Sequence, residues 1–140
     1  MWTQADQDRR LAGLVRIGRV TEVDPATARA RIALGGQAVS DWLPWTASRA
    51  GSISEWSPPA VGEQVVVLSP GGESNQAVIV GSLFSAANGQ ASNDGAAYRV
   101  EIGGSSLTMT ADAITLESNG STLVLDAAGV RVNGAQIELN

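Results

Sequence analysis

Apolar residues near the end of the chain occur in pairs, two positions apart, at a nearly constant interval. The starts of successive pairs lie 7, 7, 9, 7 and 7 residues apart. Partners two positions apart project from the same face of a strand, and the Gly and Asn residues between the pairs favour turns over a coiled coil. The pattern therefore predicts six short strands over residues 98–140, with one apolar face. The paired residues are Val100, Ile102, Leu107, Met109, Ile114, Leu116, Leu123, Leu125, Val130, Val132, Ile137 and Leu139.

A ladder of such short strands needs a partner for its apolar face. Apolar side chains stabilise a fold only when they leave water, whereas ordering the backbone costs entropy in any case. The ladder could coil into a single-chain solenoid, or several chains could wrap their apolar faces around one axis. Two inward residues per rung make a small core for one chain. We therefore predict an intertwined trimeric β-helix or β-prism, with the paired residues as its core.

The first part of the chain has a different pattern. Residues 1–13 suit an N-terminal arm or a short helix, whereas residues 14–84 contain about five strand-like segments separated by short Gly and Asp turns. That number and spacing are typical of a small closed barrel such as the OB-type barrel. Residues 85–97 are small and polar and are predicted to be a linker. The predicted fold is all-β, with the trimeric spike over residues 98–140.

The composition limits the chemistry that the chain can perform. Its 140 residues include no Cys, no His and no Lys, and all nine cations are Arg. The chain therefore has no thiolate ligand, no disulfide and no imidazole, which is the usual general base and the commonest metal ligand. No two carboxylates stand out as a pair. We predict no enzymatic activity, no catalytic residue, no cofactor and no protein-held metal.

Charge is distributed unevenly along the chain. Residues 1–85 carry seven Arg and eight acids, whereas residues 86–140 carry two Arg and six acids, a net charge of −4. An acidic extension repels nucleic acid, so we predict no nucleic-acid partner. An alternative stays open, because Arg16, Arg19, Arg29 and Arg31 lie on the first two predicted strands. An OB-type barrel can bind single-stranded nucleic acid or an oligosaccharide, and oligonucleotide binding at low salt would favour that alternative.

The densest motif lies between residues 41 and 68. It reads DWLPW at 41–45, SRAG at 48–51, a tryptophan at 56 and PPAVGEQVVVL at 58–68. This ordered set resembles the baseplate assembly protein V family, the central spike proteins of contractile phage tails and phage-tail-like bacteriocins. The resemblance covers residues 14–84 by motif and the remainder by architecture.

The resemblance implies a structural function. Three copies would form a spike, dock on the baseplate hub protein and pierce the outer membrane of the target cell. The location implied is the baseplate of a virion or tail-like particle, assembled in the bacterial cytoplasm. A trimeric adhesin stalk would share the ladder but would not need this barrel motif. Candidates for packing within the barrel or for contacts with the hub are Trp42, Trp45, Trp56, Arg16, Arg19, Arg29 and Arg31.

The chain departs from the family at the tip of the spike. Family members often end in a His-x-His apex that holds iron, and this chain has no His. An ion on the trimer axis would need other ligands, for which Asn133 and Asn140 are the candidates. Six rungs at ~4.8 Å give a rod of roughly 30 Å, which is shorter than a bilayer of about 40–45 Å. We therefore expect either a shortened sequence or a separate tip protein.

Overall fold

A computed structural model describes residues 2–140, which form two compact units. One unit ends at Gly89 and the other begins at Gln90, inside the segment predicted to be a linker. Strands dominate both units, and the described residues contain one α-helix. That helix is too short and too polar to cross a bilayer, so the described part of the chain has no helical membrane span.

The helix α1 (Gln4–Ala12) begins at a capping box. The Thr3 hydroxyl accepts a hydrogen bond from the Asp6 backbone N–H, and the Asp6 carboxylate in turn accepts from the Thr3 backbone and hydroxyl. The hydrogen bonds from Thr3 lower the pKa of Asp6 below its ordinary value, because they stabilise the charged carboxylate. This reciprocal arrangement satisfies N–H groups that the first helical turn leaves without partners.

The strands of the first unit form one sheet in the order β3-β2-β1-β5-β6, and β4 pairs separately with β2. Thr46 donates its backbone N–H to the Ile79 carbonyl at 2.9 Å, and Trp45 bridges to the same residue. These contacts join the end of β4 to β6, so the sheet closes on itself as a barrel. Its strands are β1 (Val15–Asp24), β2 (Arg29–Gly35), β3 (Ala38–Val39), β4 (Leu43–Pro44), β5 (Gln64–Leu68) and β6 (Val78–Leu83).

Most of the barrel core consists of alternate residues from β1, β2, β5 and β6, and Leu43 of β4 and Ala77, just before β6, complete it. Ile32, Val65 and Val67 are 0% exposed, as expected when every second residue of a strand points inward. Trp45 is partly buried and packs against this core, which fits the packing role considered for it. The core residues are Val20, Ala30, Ile32, Leu43, Val65, Val67, Ala77 and Ile79.

Gly18 lets β1 pass very close to β2. A Cβ atom at this position would lie 2.4 Å from Cγ2 of Ile32 and 2.7 Å from the carbonyl oxygen of Ala33. The first contact is with a core side chain and the second is with backbone, so neither neighbour has room to move away. Glycine inside a strand often marks such a close approach.

The second unit is an antiparallel sheet in the order β11-β10-β9-β8-β7, in which every strand pairs with its neighbours in sequence. The expectation of a sixth strand is wrong: Ile137 and Leu139 follow the last strand in a segment without regular structure. The single chain forms an open sheet rather than a solenoid. Its strands are β7 (Tyr98–Ile102), β8 (Ser105–Met109), β9 (Ala113–Ser118), β10 (Ser121–Asp126) and β11 (Gly129–Asn133).

Candidate functional site: the apolar sheet face and the barrel surface

The strand pairing in β7–β11 arranges one face of the sheet into three parallel rows. The central row is wholly apolar and contains one residue from each strand, aligned across the hydrogen-bonded ladder. Its residues are Val100, Leu107, Leu116, Leu123 and Val132. The second row, on one side of it, contains Tyr98, Met109, Ile114, Leu125 and Val130. The hydroxyl row, on the other side, contains Ile102, Ser105, Ser118 and Ser121.

The register adds Tyr98 to the apolar face, a residue that the pairwise pattern missed. Gly103 and Gly104 form a two-residue turn, so Ile102 lies opposite Ser105. Tyr98 then lies opposite Met109 and continues the second row. Ser105 and Ser121 lie on this face as well, beside the central row.

Most of this face is exposed in the single chain. Leu116 is 43% exposed and Val132 is 55% exposed, whereas Ile102, in the hydroxyl row, reaches 81%. A groove of about 650 Å³ runs along the central row and is lined also by residues of the segment after β11, among them Gly134 and Ile137. A contiguous exposed apolar surface of this kind is a candidate site for binding a protein, a membrane or a ligand. Each of the ten predicted core residues that lie in the five strands is on this face.

The opposite face of the sheet is polar. Arg99 donates to the Glu101 carboxylate at 3.0 Å and to the Thr108 hydroxyl at 2.7 Å. At the β10–β11 turn, Asp126 accepts a hydrogen bond from the Ala128 backbone N–H and a pair from Arg131. The hydrogen bond from Arg131 is the main cause that lowers the pKa of Asp126, and this carboxylate raises the pKa of Arg131.

Asn133 lies on this polar face. It follows Val132 directly in β11 and is paired with Thr122, so strand alternation places it opposite the central row. Asn140 lies outside the strands.

The three tryptophans predicted as contact candidates have different surroundings. Trp45 is partly buried and its ring lies 5.7 Å from that of Trp56, with a tilt of 54°. Trp56 is nevertheless 59% exposed. The Arg31 guanidinium lies over the ring of Trp42 at 5.7 Å. Trp56 therefore offers the most accessible aromatic surface of the three.

The four arginines do not form a single basic patch. Arg16 pairs with Val67 at one end of β1, whereas Arg29 pairs with Asp24 at the other end. Arg31 is engaged within the chain, because its Nε donates to the Ser40 carbonyl at 3.1 Å and its guanidinium lies over Trp42. Arg19 is exposed at the side of β1 facing away from the core. The four arginines lie on the first two strands, as the sequence predicts, but the strand pairing spreads them along the length of β1.

Glu63 lines a polar cleft beside Trp45 and has a structural role. Its carboxylate accepts hydrogen bonds from the Ala60 backbone N–H at 2.8 Å and from the Ser82 hydroxyl. The loop before β5 is thereby fixed to β6. Glu55 also lines the cleft.

Comparisons with known proteins show similarity to a phage-baseplate domain family and to a phage spike protein. Residues 16–84 match the family described as the type VI secretion system/phage-baseplate injector OB domain. The chain is also similar to the spike protein of Escherichia phage P2, at 31% identity over 123 residues. That alignment covers 88% of this chain and 54% of the relative, so the chain spans about half the length of the relative it matches.

Proposed function

Because this chain belongs to the baseplate assembly protein V family, we propose that it is the central spike of a contractile-tail baseplate. Three copies assemble through the apolar face of β7–β11, the barrels dock on a hub protein, and the trimer pierces the outer membrane of the target cell. The protein then acts mechanically, in the baseplate of a virion or tail-like particle assembled in the bacterial cytoplasm. No catalytic group or cofactor takes part.

The exposed apolar face of the second unit carries this proposal. Fully burying a Val or Leu side chain is worth about 1.5–3 kcal/mol, so a half-exposed one gains on the order of 1 kcal/mol on association. The ten side chains of the central and second rows together gain on the order of 10 kcal/mol per chain. Association costs an estimated 4–15 kcal/mol in lost freedom. Three chains, each contributing both rows, therefore have enough apolar surface to assemble.

Three-fold symmetry suggests how the rows meet. The central row of each chain faces the axis, and the second row of one chain packs beside the hydroxyl row of the next. The small serines of the hydroxyl row leave room for Met109, Ile114 and Leu125 of the neighbour. Hydrogen bonds between consecutive strands stay within each chain, so in this proposal the three sheets associate through side chains rather than by interweaving their strands.

Piercing requires a further element at the tip. Five strands at ~4.8 Å span roughly 20–25 Å, and a bilayer with its headgroups is about 40–45 Å thick. In this proposal the sheet of the chain supplies a stem, and a separate tip protein leads it across the membrane. For the hub, Trp56 and Arg19 are the preferred contacts because both are exposed.

Mass measurement by light scattering tests the assembly. The intact chain is expected at three times its mass of 14.4 kDa. Leu116→Glu, which puts a charge in the central row, is expected to give monomers. Thr115→Glu is the matched control, because Thr115 directly precedes Leu116 in β9 and lies on the opposite, polar face of the sheet. The Thr115→Glu variant is expected to stay trimeric. A monomeric parent chain, or a trimer that tolerates Leu116→Glu, would refute the proposed assembly.

A further inference from the structure

The polar cleft beside Trp45 combines negative charge with aromatic surface. It has a volume of about 370 Å³ and lies between β6 and the loop that joins β4 to β5. Glu55 and Glu63 contribute its two charged side chains, and no arginine of the described residues lines it. Trp45 lines the cleft, and the ring of the exposed Trp56 lies 5.7 Å from the Trp45 ring. The cleft therefore favours a cationic ligand over a neutral or an acidic one.

The two carboxylates of the cleft differ in what they already bind. Glu63 is held in place by hydrogen bonds from the Ala60 backbone N–H and the Ser82 hydroxyl. Glu55 is exposed, and no arginine within residues 2–140 forms an ion pair with it. Arg49 contributes its backbone carbonyl, which accepts a hydrogen bond from the Glu55 backbone N–H at 2.9 Å, but it does not line the cleft. Glu63 thus supplies a fixed negative charge, and Glu55 supplies a carboxylate that is free to bind a cation.

We propose that this cleft binds an arginine side chain of another protein. A guanidinium group is planar, so it donates a pair of hydrogen bonds to a carboxylate and also stacks on an aromatic ring. The cleft offers the carboxylate of Glu55 and, beside it, the rings of Trp45 and Trp56. A cation over a tryptophan ring is attracted to its π face. A lysine ammonium would gain the charge interaction but would lack the planar match to the carboxylate.

The edge of β6 favours an extended segment as the carrier of this arginine. β6 is the last strand in the order of its sheet, and it bridges to Trp45 only at Ile79. Beyond Ile79, β5 is its only strand partner among the described residues. Residues 80–82 of this edge line the cleft. A strand that is paired on one side presents backbone N–H and C=O groups to which an extended peptide can add. The cleft therefore suits a strand-like segment that places its arginine beside Glu55.

Titration of the full chain with a short peptide, followed by NMR of the tryptophan indole N–H groups, tests this inference. The probe is acetyl-Val-Arg-Val-amide, and its neutral analogue carries citrulline in place of arginine. The arginine peptide is expected to bind with a Kd in the millimolar range and to shift the resonances of Trp45 and Trp56, while those of Trp2 and Trp42 stay in place. The citrulline peptide keeps the shape and loses the charge, so its binding is expected to be at least tenfold weaker.

Two variants of equal size and charge change provide the controls. Glu55→Gln removes the free carboxylate from the cleft and is expected to weaken binding of the arginine peptide at least fivefold. Glu73→Gln is the matched control, because Glu73 is an exposed acid of the same unit that does not line the cleft. The Glu73→Gln variant is expected to bind like the parent chain.

The outcomes decide the site independently of the trimer. Equal affinity for the citrulline peptide, unshifted resonances of Trp45 and Trp56, or an unchanged Kd in Glu55→Gln would overturn the site. Equal binding of the corresponding lysine peptide would overturn the assignment to arginine. A parent chain that is monomeric by light scattering and binds the arginine peptide would refute the proposed assembly and support the cleft as a binding site.

Discussion

Replacing Gly18 by alanine tests whether the barrel depends on the close approach of β1 and β2. The added Cβ would lie 2.4 Å from a core methyl carbon of Ile32 and 2.7 Å from the carbonyl oxygen of Ala33. Carbon atoms in favourable contact lie about 3.5–4.0 Å apart, so the two strands must separate. Overpacking of a core costs about 1–3 kcal/mol. Because one of the two neighbours is backbone, we expect Gly18→Ala to cost about 3 kcal/mol.

Gly81→Ala is the matched control in the same sheet. Nothing lies within 4 Å of a Cβ added at Gly81, and its φ is not positive. A Gly→Ala change at an unstrained site reduces the entropy of the unfolded chain and stabilises by about 0.4–1 kcal/mol. The two variants are therefore expected to change the free energy of unfolding in opposite directions.

Urea unfolding followed by tryptophan fluorescence measures both effects. All samples need the same chain concentration, because association raises apparent stability. For an m-value of about 1–3 kcal/mol/M, a loss of 3 kcal/mol lowers the unfolding midpoint by about 1–3 M. A Gly18→Ala variant within about 0.5 kcal/mol of the parent, or equal to Gly81→Ala, would refute the steric argument.

Three further changes probe other parts of the chain. Ile32→Ala leaves a cavity at a position 0% exposed and should lower the free energy of unfolding by about 2–5 kcal/mol; a smaller loss in urea titration would mean that the site collapses. Thr3→Ala removes the helix cap and should cost about 1 kcal/mol, seen as faster amide exchange in α1 with the barrel unchanged. The lowered pKa of Asp126 means that its stabilising contribution is complete at neutral pH and is lost as the pH falls through the folded-state pKa. The Ala128 amide resonance should therefore titrate with a pKa below that of an ordinary aspartate; a midpoint at or above the ordinary aspartate pKa contradicts the ion pair, and Asp126→Asn should abolish the titration.

The sequence predicted the strands of the second unit well, because their period of two is a strong local signal. The register was harder to predict, since it depends on turn length. The two-residue turn at Gly103 and Gly104 aligns Ile102 with Ser105, and a turn longer by two residues would have aligned it with Leu107. The place of Tyr98 in the second row follows from that single detail.

The surface of the barrel was less predictable than its strands. Arg16 lies in β1 and Arg29 in β2, so both belong to the first pair of strands. The strand pairing places Arg16 near one end of β1 and Arg29 beside its other end. The division of β5 into inward and outward residues also escaped the sequence reasoning. Val65 to Leu68 form a continuous apolar run, so hydropathy alone cannot separate the inward Val67 from the outward Val66.

The connectivity of the two units has a consequence for the order of folding. Each pairing within β7–β11 joins strands that are adjacent in sequence, so this sheet requires only short loop closures. The barrel must bring β1 together with β5, for example Val15 with Leu68, across a much longer loop. Local pairings form faster than distant ones. The sheet of β7–β11 can therefore form before the barrel closes, so the apolar face is exposed early in folding.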